Sequence, residues 1–398
     1  MGTTTDTDRK QIDLLDPNWY RSNPHDDYTW MRANEPVYRD EANALWGITR
    51  HADVLDVERR SQVFSSGGVY RAVPEPLEVN MIAQDDPRHQ QQRRLLSNRF
   101  TPKAVKTNHE QYLRETIDEL LAAVSSQGTM EVVHDLAAQL PCRLTAKLLG
   151  YPEEKWADIQ RWSERLMRID MRYRDEQQAT EFFEANFEFA TAFTEVFTER
   201  KGCPMDDLAS VWVNGEINGE PLPMEAWYHE TGLFISGGAE TTRTVISHGL
   251  RTFCDHQDQW ELLADQPDLV PGAVEEMLRW VTPLNNFFRT ANVDTTVGGQ
   301  AIAAGERVML LYPSANRDDA IFTDPFTFDV RRHPNPHLAF GNGTHFCVGA
   351  NLARLELTIL FQSLTQRFKN LRVVTEPDVE ANIFARAVRR FELAFDPR

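Results

Sequence analysis

The sequence of 398 residues has few cysteines and no long run of apolar residues. Its four cysteines lie far apart and form no Cys-x-x-Cys pair, which argues against a zinc ribbon or a disulfide framework and favours a reducing compartment. No stretch approaches the roughly 20 apolar residues of a membrane-spanning helix, and the polar N-terminus has no signal-peptide core. The sequence therefore predicts a cytoplasmic protein without a membrane span.

Positive charge is also scarce, since 42 lysines and arginines stand against 60 acidic residues and give a formal net charge of −18. Phosphates would be repelled by such a chain, so nucleic-acid binding is not expected. The sequence contains no internal repeat, low-complexity tract or Ser/Gly-rich linker. Because 41% of its residues are apolar, the chain can bury one large core, and we expect a single domain over residues 1–398.

What the sequence does contain is one cysteine in a glycine-rich loop, residues 340–349, directly before a helical run. Gly341 and Gly343 permit a tight turn and the close approach of a flat ligand. Amides at the start of the following helix would point at the sulfur of Cys347 and favour its thiolate. A single thiolate presented in this way suits the axial position of a haem iron. The plain alternative is a buried structural cysteine.

A second unusual stretch lies inside a long helix predicted over residues 224–254. Gly237 and Gly238 stand in its middle, where each glycine costs about 1 kcal/mol relative to alanine. This cost suggests that something approaches the helix backbone closely. Glu240 and Thr241 follow, and a threonine hydroxyl can bond back to a preceding carbonyl and open the helix. The alternative is a kink made for packing, with Glu240 in solvent.

Residues 65–86 follow no period but contain many apolar residues, so this stretch is predicted to cover something rather than to be disordered. The next helix places His89 and Arg93 four residues apart on one face, and taken alone this pair would indicate a solvated surface. Small strands are predicted at 36–38 and 44–48. A final antiparallel hairpin is predicted near the C-terminus, with residues 383–385 at its tip.

Four motifs occur in an order typical of one family, and the chain resembles a soluble bacterial cytochrome P450 over essentially its full length. The motifs are Gly-Gly-Ala-Glu-Thr-Thr at 237–242, Glu-x-x-Arg at 276–279, a polar meander at 322–332, and the cysteine loop at 340–349. The resemblance implies the cytochrome P450 fold, which is mainly α with small antiparallel β-sheets. It also implies a β-rich region at about 30–80 and a helical haem-binding region at about 85–398.

The resemblance further implies a role for each matching position. Cys347 would be the proximal ligand of the iron in haem b, and Glu240 and Thr241 would be the acid–alcohol pair that delivers protons near the iron. The other haem-contact positions would be His89, Arg93, Arg289, His345, Gly349 and Gly238. A structural triad beneath the cysteine loop would be formed by Glu276, Arg279 and Arg332. The walls of the substrate pocket would be Val73, Met81, Ile82, Phe234, Leu284, Phe287, Phe288 and Phe384.

These roles predict a haem-thiolate monooxygenase that inserts one oxygen atom from O2 into a C–H bond of a hydrophobic substrate. Scaffold segments are similar to actinobacterial members that oxidise sterols and methyl-branched lipids, and a terpenoid is the alternative substrate. Two other functions stay open, a haem-thiolate sensor without turnover and a peroxide-driven oxidase. The Glu240–Thr241 pair argues against both, because neither needs a proton relay.

Electrons would have to come from outside the chain, which has no cysteine pattern for an iron–sulfur cluster and no flavin motif. The expected route runs from NAD(P)H through a ferredoxin reductase and a small acidic ferredoxin. A basic patch on the cysteine side could steer this partner despite the acidic total charge. Its predicted members are Arg88, Arg94, Arg99, Lys103 and Arg354.

Overall fold

The computed structural model describes residues 10–74, 78–171 and 176–398, and helices dominate this part of the chain. The α-helices are α1 (Pro17–Arg21), α2 (His25–Asn34), α3 (His51–Arg59), α4 (Arg88–Ser97), α5 (Pro102–Ser125), α6 (Gln139–Leu149), α7 (Trp156–Met167), α8 (Glu176–Gly202), α9 (Leu208–Val213), α10 (Met224–Asp255), α11 (Gln257–Asp265), α12 (Val270–Val281), α13 (Tyr312–Ala315) and α14 (Ala350–Arg367). Single turns of other helix types lie at Met81–Ala83, Asn98–Phe100, Val133–Ala137, Glu153–Lys155, Ile169–Met171, Pro267–Leu269 and Gly343–His345.

Most strands are short, and within the described residues they form four small sheets. They are β1 (Val37–Asp40), β2 (Leu45–Ile48), β3 (Phe64–Ser65), β4 (Thr129–Glu131), β5 (Glu216–Ile217), β6 (Glu220–Pro221), β7 (Asn286–Ala291), β8 (Thr295–Val297), β9 (Gln300–Ile302), β10 (Arg307–Leu311), β11 (Phe368–Val379) and β12 (Val388–Pro397). The largest sheet has the order β1-β2-β10-β7-β3. The fold class predicted from the sequence, mainly α with small antiparallel sheets, is confirmed.

The N-terminal sheet differs in one respect from the sequence prediction. β1 and β2 pair antiparallel as expected, but β2 also pairs with β10 in parallel, with Trp46 opposite Val308. The β-rich region at about 30–80 therefore shares its sheet with strands that lie more than 200 residues later in the chain. A pairing between such distant segments leaves no mark in the local pattern of either strand.

The long helix α10 crosses the middle of the fold as one element, as the sequence predicts. It packs against α6, α7, α12 and α14. A Cβ atom at Gly238 would lie 2.9 Å from Oγ1 of Thr145 on α6, so this glycine lets the two helices approach each other. A Cβ atom at Gly237 would meet nothing within 4 Å. Gly238 therefore allows a close contact between two helices, whereas Gly237 borders an open space.

The C-terminal hairpin of β11 and β12 also forms as predicted, with Val373 opposite Leu393. Its connecting segment folds back onto the start of β7, where Leu284 and Ala385 form an isolated bridge. The amide of Asn285 donates to the carbonyl of Phe384 over 2.7 Å. These bonds place the hairpin tip beside residues 283–287.

A buried ion-pair cluster braces the segment that precedes the cysteine loop. Glu276 accepts two hydrogen bonds from Arg279, both of 2.7 Å, and both side chains are fully buried. Nε of Arg332 lies 3.2 Å from the same carboxylate, and Asn335 donates to it over 3.1 Å. Arg279 also donates to backbone carbonyls of the irregular stretch at 316–327. The predicted triad is therefore assembled.

No helix in the described ranges has the length and apolar content needed to cross a membrane.

Candidate active site

A largely apolar cavity lies between α10, the cysteine loop and the irregular stretch at 65–86. Six of the predicted pocket residues line it, and they come from four separate parts of the chain. These are Met81, Ile82, Phe234, Leu284, Phe287 and Phe384. Cys347, Gly349, Gly237, Gly238 and Thr241 line the same cavity, so the two motifs that the sequence singled out face one space.

Two predicted pocket residues lie elsewhere. Phe288 follows Phe287 on β7, and since successive side chains of a strand point to opposite faces, its ring is buried on the other side of the sheet. There it packs in a separate core cluster with Met309, with the guanidinium of Arg307 4.6 Å above its ring. Val73 is half-buried beyond the cavity wall, and its amide donates to Asp170 over 3.1 Å. The expectation for Phe288 was wrong about the direction of its side chain, and Val73 is not among the residues that line the cavity.

Cys347 is held by the backbone of its loop. Its amide donates to the carbonyl of Phe340 over 2.9 Å. Gly341 and Gly343 both have positive φ angles, +67° and +69°, and a Cβ atom at Gly343 would lie 2.5 Å from the carbonyl oxygen of Glu58. Only glycine fits that position, because any side chain would displace α3.

The amides at the start of α14 approach the sulfur as the sequence predicts. The sulfur of Cys347 is exposed to the cavity. The protein that encloses it raises the pKa of the thiol, while bonds from the amides of Gly349 and Ala350 and the charges of Arg93 and Arg354 act in the opposite direction. A cation placed over the sulfur would produce the thiolate, since metal ligation deprotonates a thiol.

Basic residues gather at one end of the cavity, where His89, Arg93, Arg289 and His345 all line the wall. The imidazole rings of His89 and His345 lie 4.1 Å apart. Nδ1 of His89 bonds Oδ1 of Asp86 over 2.9 Å, while its buried Nε2 has no partner. Burial lowers the pKa of His89. The pKa of His345 is lowered to about 2 by burial and by the neighbouring charges of Arg289, His89 and Arg93.

The two arginines of this end are fixed by backbone carbonyls. Arg93 donates to the carbonyls of Thr344 and Phe346, over 3.4 and 2.6 Å, which ties α4 to the cysteine loop. Arg289 donates to the carbonyl of Phe288 over 2.7 Å. Within the described ranges, no carboxylate oxygen lies within 4 Å of the guanidinium nitrogens of either arginine. An anion entering this end would therefore find fixed donors.

Thr241 and Glu240 are neighbours in sequence but point to different surroundings. Thr241 lines the cavity, and its hydroxyl donates to the carbonyl of Gly237 over 2.8 Å, as the sequence suggested. The side chain of Glu240 is fully buried on the other side of α10 and pairs with Arg243, with Arg389 3.5 Å away. Glu240 is therefore neither in solvent nor on the cavity wall.

Sequence reasoning missed several polar residues of the wall. Tyr70, Arg71, Glu58, Tyr312 and Glu356 belong to it. Burial raises the pKa of Glu58 to about 7, against the bond from Tyr312, whose hydroxyl donates to it over 2.7 Å. Burial also raises the pKa of Glu356 to about 8. These residues stand in ordinary helices or loops, so only burial, which the local sequence does not reveal, could have identified them.

The residues present fit a flat, apolar macrocycle that carries carboxylates at one edge and a metal at its centre. A cysteine on one face opposes the open space beside Gly237 on the other. Orphaned Nε2 of His89 and the fixed arginines suit carboxylates at the rim. This chemistry is that of haem held through a cysteine, which defines the class of protein as a haem-thiolate protein.

Comparisons with known proteins agree with this class. The family model for cytochrome P450 matches residues 255–393. A steroid C26-monooxygenase from Mycobacterium tuberculosis is 41% identical over 377 residues, which are 94% of this chain and 93% of that protein. A linalool 8-monooxygenase from Pseudomonas putida is 31% identical, with 97% of this chain and 99% of that protein covered.

Solved structures share the fold over nearly the whole chain. CYP109E1 from Bacillus megaterium in complex with testosterone has a TM-score of 0.87 and 31% identity, and covers 94% of this chain and 98% of its own. Cytochrome P450 CYP268A2 from Mycobacterium marinum in complex with pseudoionone has a TM-score of 0.88 and 32% identity, with coverage of 97% and 99%. The chain belongs to the cytochrome P450 family. It is a monooxygenase that uses haem iron and O2, with electrons supplied by redox partners.

Proposed function

We propose that this monooxygenase hydroxylates a C–H bond in the side chain of a steroid. The observation that carries the proposal is the largely apolar cavity, whose wall includes both the cysteine loop and the tip of the C-terminal hairpin. The similarity to a steroid C26-monooxygenase over 94% of the chain supports this substrate class. Reaction at the end of a side chain would place the ring system at the far end of the cavity. A terpenoid is the second candidate, which the similarity to a linalool 8-monooxygenase favours.

Haem b would be held by Cys347 as the iron ligand, with His89, Arg93, Arg289 and His345 as donors to its propionates. These four side chains already converge on one end of the cavity, and hydrogen bonds from charged donors to carboxylates are among the strong ones. The bound haem supplies the activation of O2. The amide of Gly349 would bond the sulfur of Cys347 and favour its thiolate.

Thr241 would hold a water molecule beside the reacting centre. Its hydroxyl can keep its bond to Gly237 while it accepts a hydrogen bond from such a water. Glu240 would supply protons from behind α10, where Arg389 joins its carboxylate to that of Glu380 and holds both in place without passing a proton itself. Glu380 retains some exposure to solvent. In this arrangement Thr241 positions the proton and Glu240 replaces it.

A small ferredoxin would dock beside α4, which Arg93 fixes to the cysteine loop. Arg88, Arg94 and Lys103 form no ion pair with any residue of the described ranges, so their charges remain available. Arg99 pairs with Asp206 and Arg354 with Glu275, and these two are weaker members of the predicted patch. NAD(P)H as the electron source and a cytoplasmic location belong to the same proposal. The rate of reduction by ferredoxin should fall as salt rises.

The proposal is tested with the haem-loaded enzyme and two sets of probes, steroids and acyclic terpenoids. Titration of each probe is followed through the spin-state change that occurs when substrate displaces water from the iron. We expect steroids to bind more tightly and to yield a hydroxylated side chain when a ferredoxin system supplies electrons. Tighter binding of terpenoids would favour the second candidate. Turnover with peroxide but not with ferredoxin would contradict the proposed electron route.

A further inference from the structure

Away from the basic end, the cavity wall contains a charged side chain to which the sequence gave no role. Arg71 lies in the irregular stretch at 65–86 and lines the cavity. Its side chain is 7% exposed. Nε and Nη2 both donate to Oδ2 of Asp170, over 2.9 and 2.7 Å, and Nη2 also donates to the carbonyl of Met167 over 3.0 Å. The guanidinium carbon lies 3.9 Å from the ring centre of Phe384.

These contacts place Arg71 on the part of the cavity wall where the end of α7 meets the tip of the C-terminal hairpin. Met167 ends α7, Asp170 lies just after it, and Phe384 is at the tip of the C-terminal hairpin. None of these three segments supplies a side chain of the basic end, whose residues come from α4, β7 and the cysteine loop, although the hairpin tip bonds to Asn285 just before β7. A long substrate that reacts beside Cys347 would extend along this wall toward Arg71.

One edge of the guanidinium remains unused. Within the described residues Nη1 makes no hydrogen bond, although the other two nitrogens are fully engaged. Arg71 keeps a small exposed fraction and is one of the residues that line the cavity. A fixed N–H donor in an apolar wall lacks a partner when the cavity contains only hydrocarbon, and a buried donor without a partner is costly.

The charge of Arg71 is already balanced by Asp170, which is 2% exposed. An incoming carboxylate would meet this second carboxylate and gain little from the pair. A neutral acceptor would gain the hydrogen bond without that repulsion. The pair therefore suits a carbonyl oxygen better than an acid group.

We propose that Arg71 binds a carbonyl oxygen on the ring end of the substrate, and that the enzyme selects steroid ketones over the same skeleton without the oxygen. The inference rests on the proposed function and specifies its substrate. A hydrogen bond from a charged donor in such a site corresponds to about 10-fold to 100-fold in affinity. The ring of Phe384 packs against the guanidinium of Arg71 and limits the movement of this donor.

A purely structural role would look different. Asp170 also accepts a hydrogen bond from the amide of Val73, so the ion pair joins the irregular stretch to the end of α7. If the pair did nothing more, its loss would weaken the binding of every ligand by a similar factor. The ratio between two ligands that differ only in one oxygen separates the two roles.

The test uses the haem-loaded enzyme with 5α-cholestan-3-one and 5α-cholestane, delivered in cyclodextrin and titrated through the spin-state change. Arg71→Lys keeps a cation beside Asp170 but removes the planar fork with its free edge. The double variant Arg71→Leu/Asp170→Leu removes both charges together, so that neither buried charge is left without its partner. We expect the ketone to bind the wild type about 10-fold to 100-fold more tightly than the hydrocarbon, and this ratio to fall to within about 3-fold in both variants.

Equal binding of the two probes by the wild type would overturn the inference, as would a ketone preference that survives in both variants. If the wild type bound neither steroid, the proposed substrate class itself would fail, and the inference would fail with it. A steroid that carries a carboxylate in place of the 3-oxo group is the third probe. If it bound more tightly than the ketone, it would contradict the argument that Asp170 disfavours a second carboxylate beside Arg71.

Discussion

The rings of His89 and His345 lie 4.1 Å apart with an angle of 37° between their planes, which joins α4 to the cysteine loop at one end of the cavity. Burial lowers the pKa of both imidazoles. Because Nδ1 of His89 donates to Asp86, its Nε2 can donate to a carboxylate only in the protonated ring, a form that a bound carboxylate would favour. With Arg93 and Arg289 they form an anion site that exists before any ligand arrives. The predictions that follow from this arrangement and its surroundings concern haem retention, coupling, stability and pH.

Replacement of His89 should weaken the retention of haem. His89→Ala removes the buried Nε2 that has no protein partner, and hence one hydrogen bond to a propionate. We expect haem to transfer to an acceptor apoprotein about 10-fold faster or more. His134→Ala is the matched control, because His134 is largely exposed on another helix turn. Equal transfer rates for both variants would contradict the propionate role.

Replacement of Thr241 should separate electron consumption from product formation. Thr241→Ala removes the cavity hydroxyl that donates to Gly237, so protons are no longer positioned. Product formed per NAD(P)H consumed should fall about tenfold, with the balance appearing as peroxide, while haem content stays unchanged. Thr241→Ser should restore most of the coupling. Full coupling in Thr241→Ala would show that another group positions the proton.

Replacement of Glu276 should destabilise the whole fold. Glu276→Ala leaves Arg279 buried without its carboxylate, and breaking a buried pair in this way costs about 3–5 kcal/mol in the free energy of unfolding. The exposed pair of Arg372 and Asp396 is the comparison. Asp396→Ala should leave the free energy of unfolding almost unchanged. A similar, small effect of both substitutions in urea unfolding would contradict the bracing role.

Glu230 should make stability depend on pH. Its carboxyl accepts a bond from the amide of Met81 over 2.8 Å, and burial raises its pKa to about 8, with Glu78 acting in the same direction. The folded state therefore keeps a proton that the unfolded state releases above about pH 4.3. The free energy of unfolding should fall as pH rises from about 5 to 8, by at most about 1.4 kcal/mol per unit, and then level off.

Glu230→Gln is the control for this pH dependence, because the amide keeps an oxygen for Met81 but does not titrate. The difference in unfolding free energy between wild type and variant should shrink toward acidic pH and grow above neutrality. Parallel curves between pH 5 and 9 would show that Glu230 does not titrate in this window.

The sequence predicted those features that depend on residues close together in the chain. The cysteine loop, α10 with its glycines and the pair of Glu276 and Arg279 are each set by residues a few positions apart, and they were predicted. The parallel pairing of β2 with β10 joins distant segments and was not. Phe288 was assigned to the cavity with Phe287, although strand alternation sends the two rings to opposite faces.

The same limit applies to the site. The family resemblance placed Glu240 with Thr241 at the reacting centre, but the side chain of Glu240 pairs with Arg243, one turn later, and does not line the cavity. Arg71 gave no signal, since its partner Asp170 is about 100 residues away and becomes its neighbour only in the fold. Side-chain direction and partners between distant segments are thus what the structure adds.

The most direct test of the account is the absorbance of the reduced carbon monoxide complex in wild type and in Cys347→His. A thiolate ligand shifts the main band of this complex to longer wavelength, whereas histidine does not. We expect the red-shifted band in the wild type, in Cys142→Ser and in Cys254→Ser, and its loss in Cys347→His. Its absence from the wild type, or its persistence in Cys347→His, would contradict the assignment of Cys347 as the iron ligand.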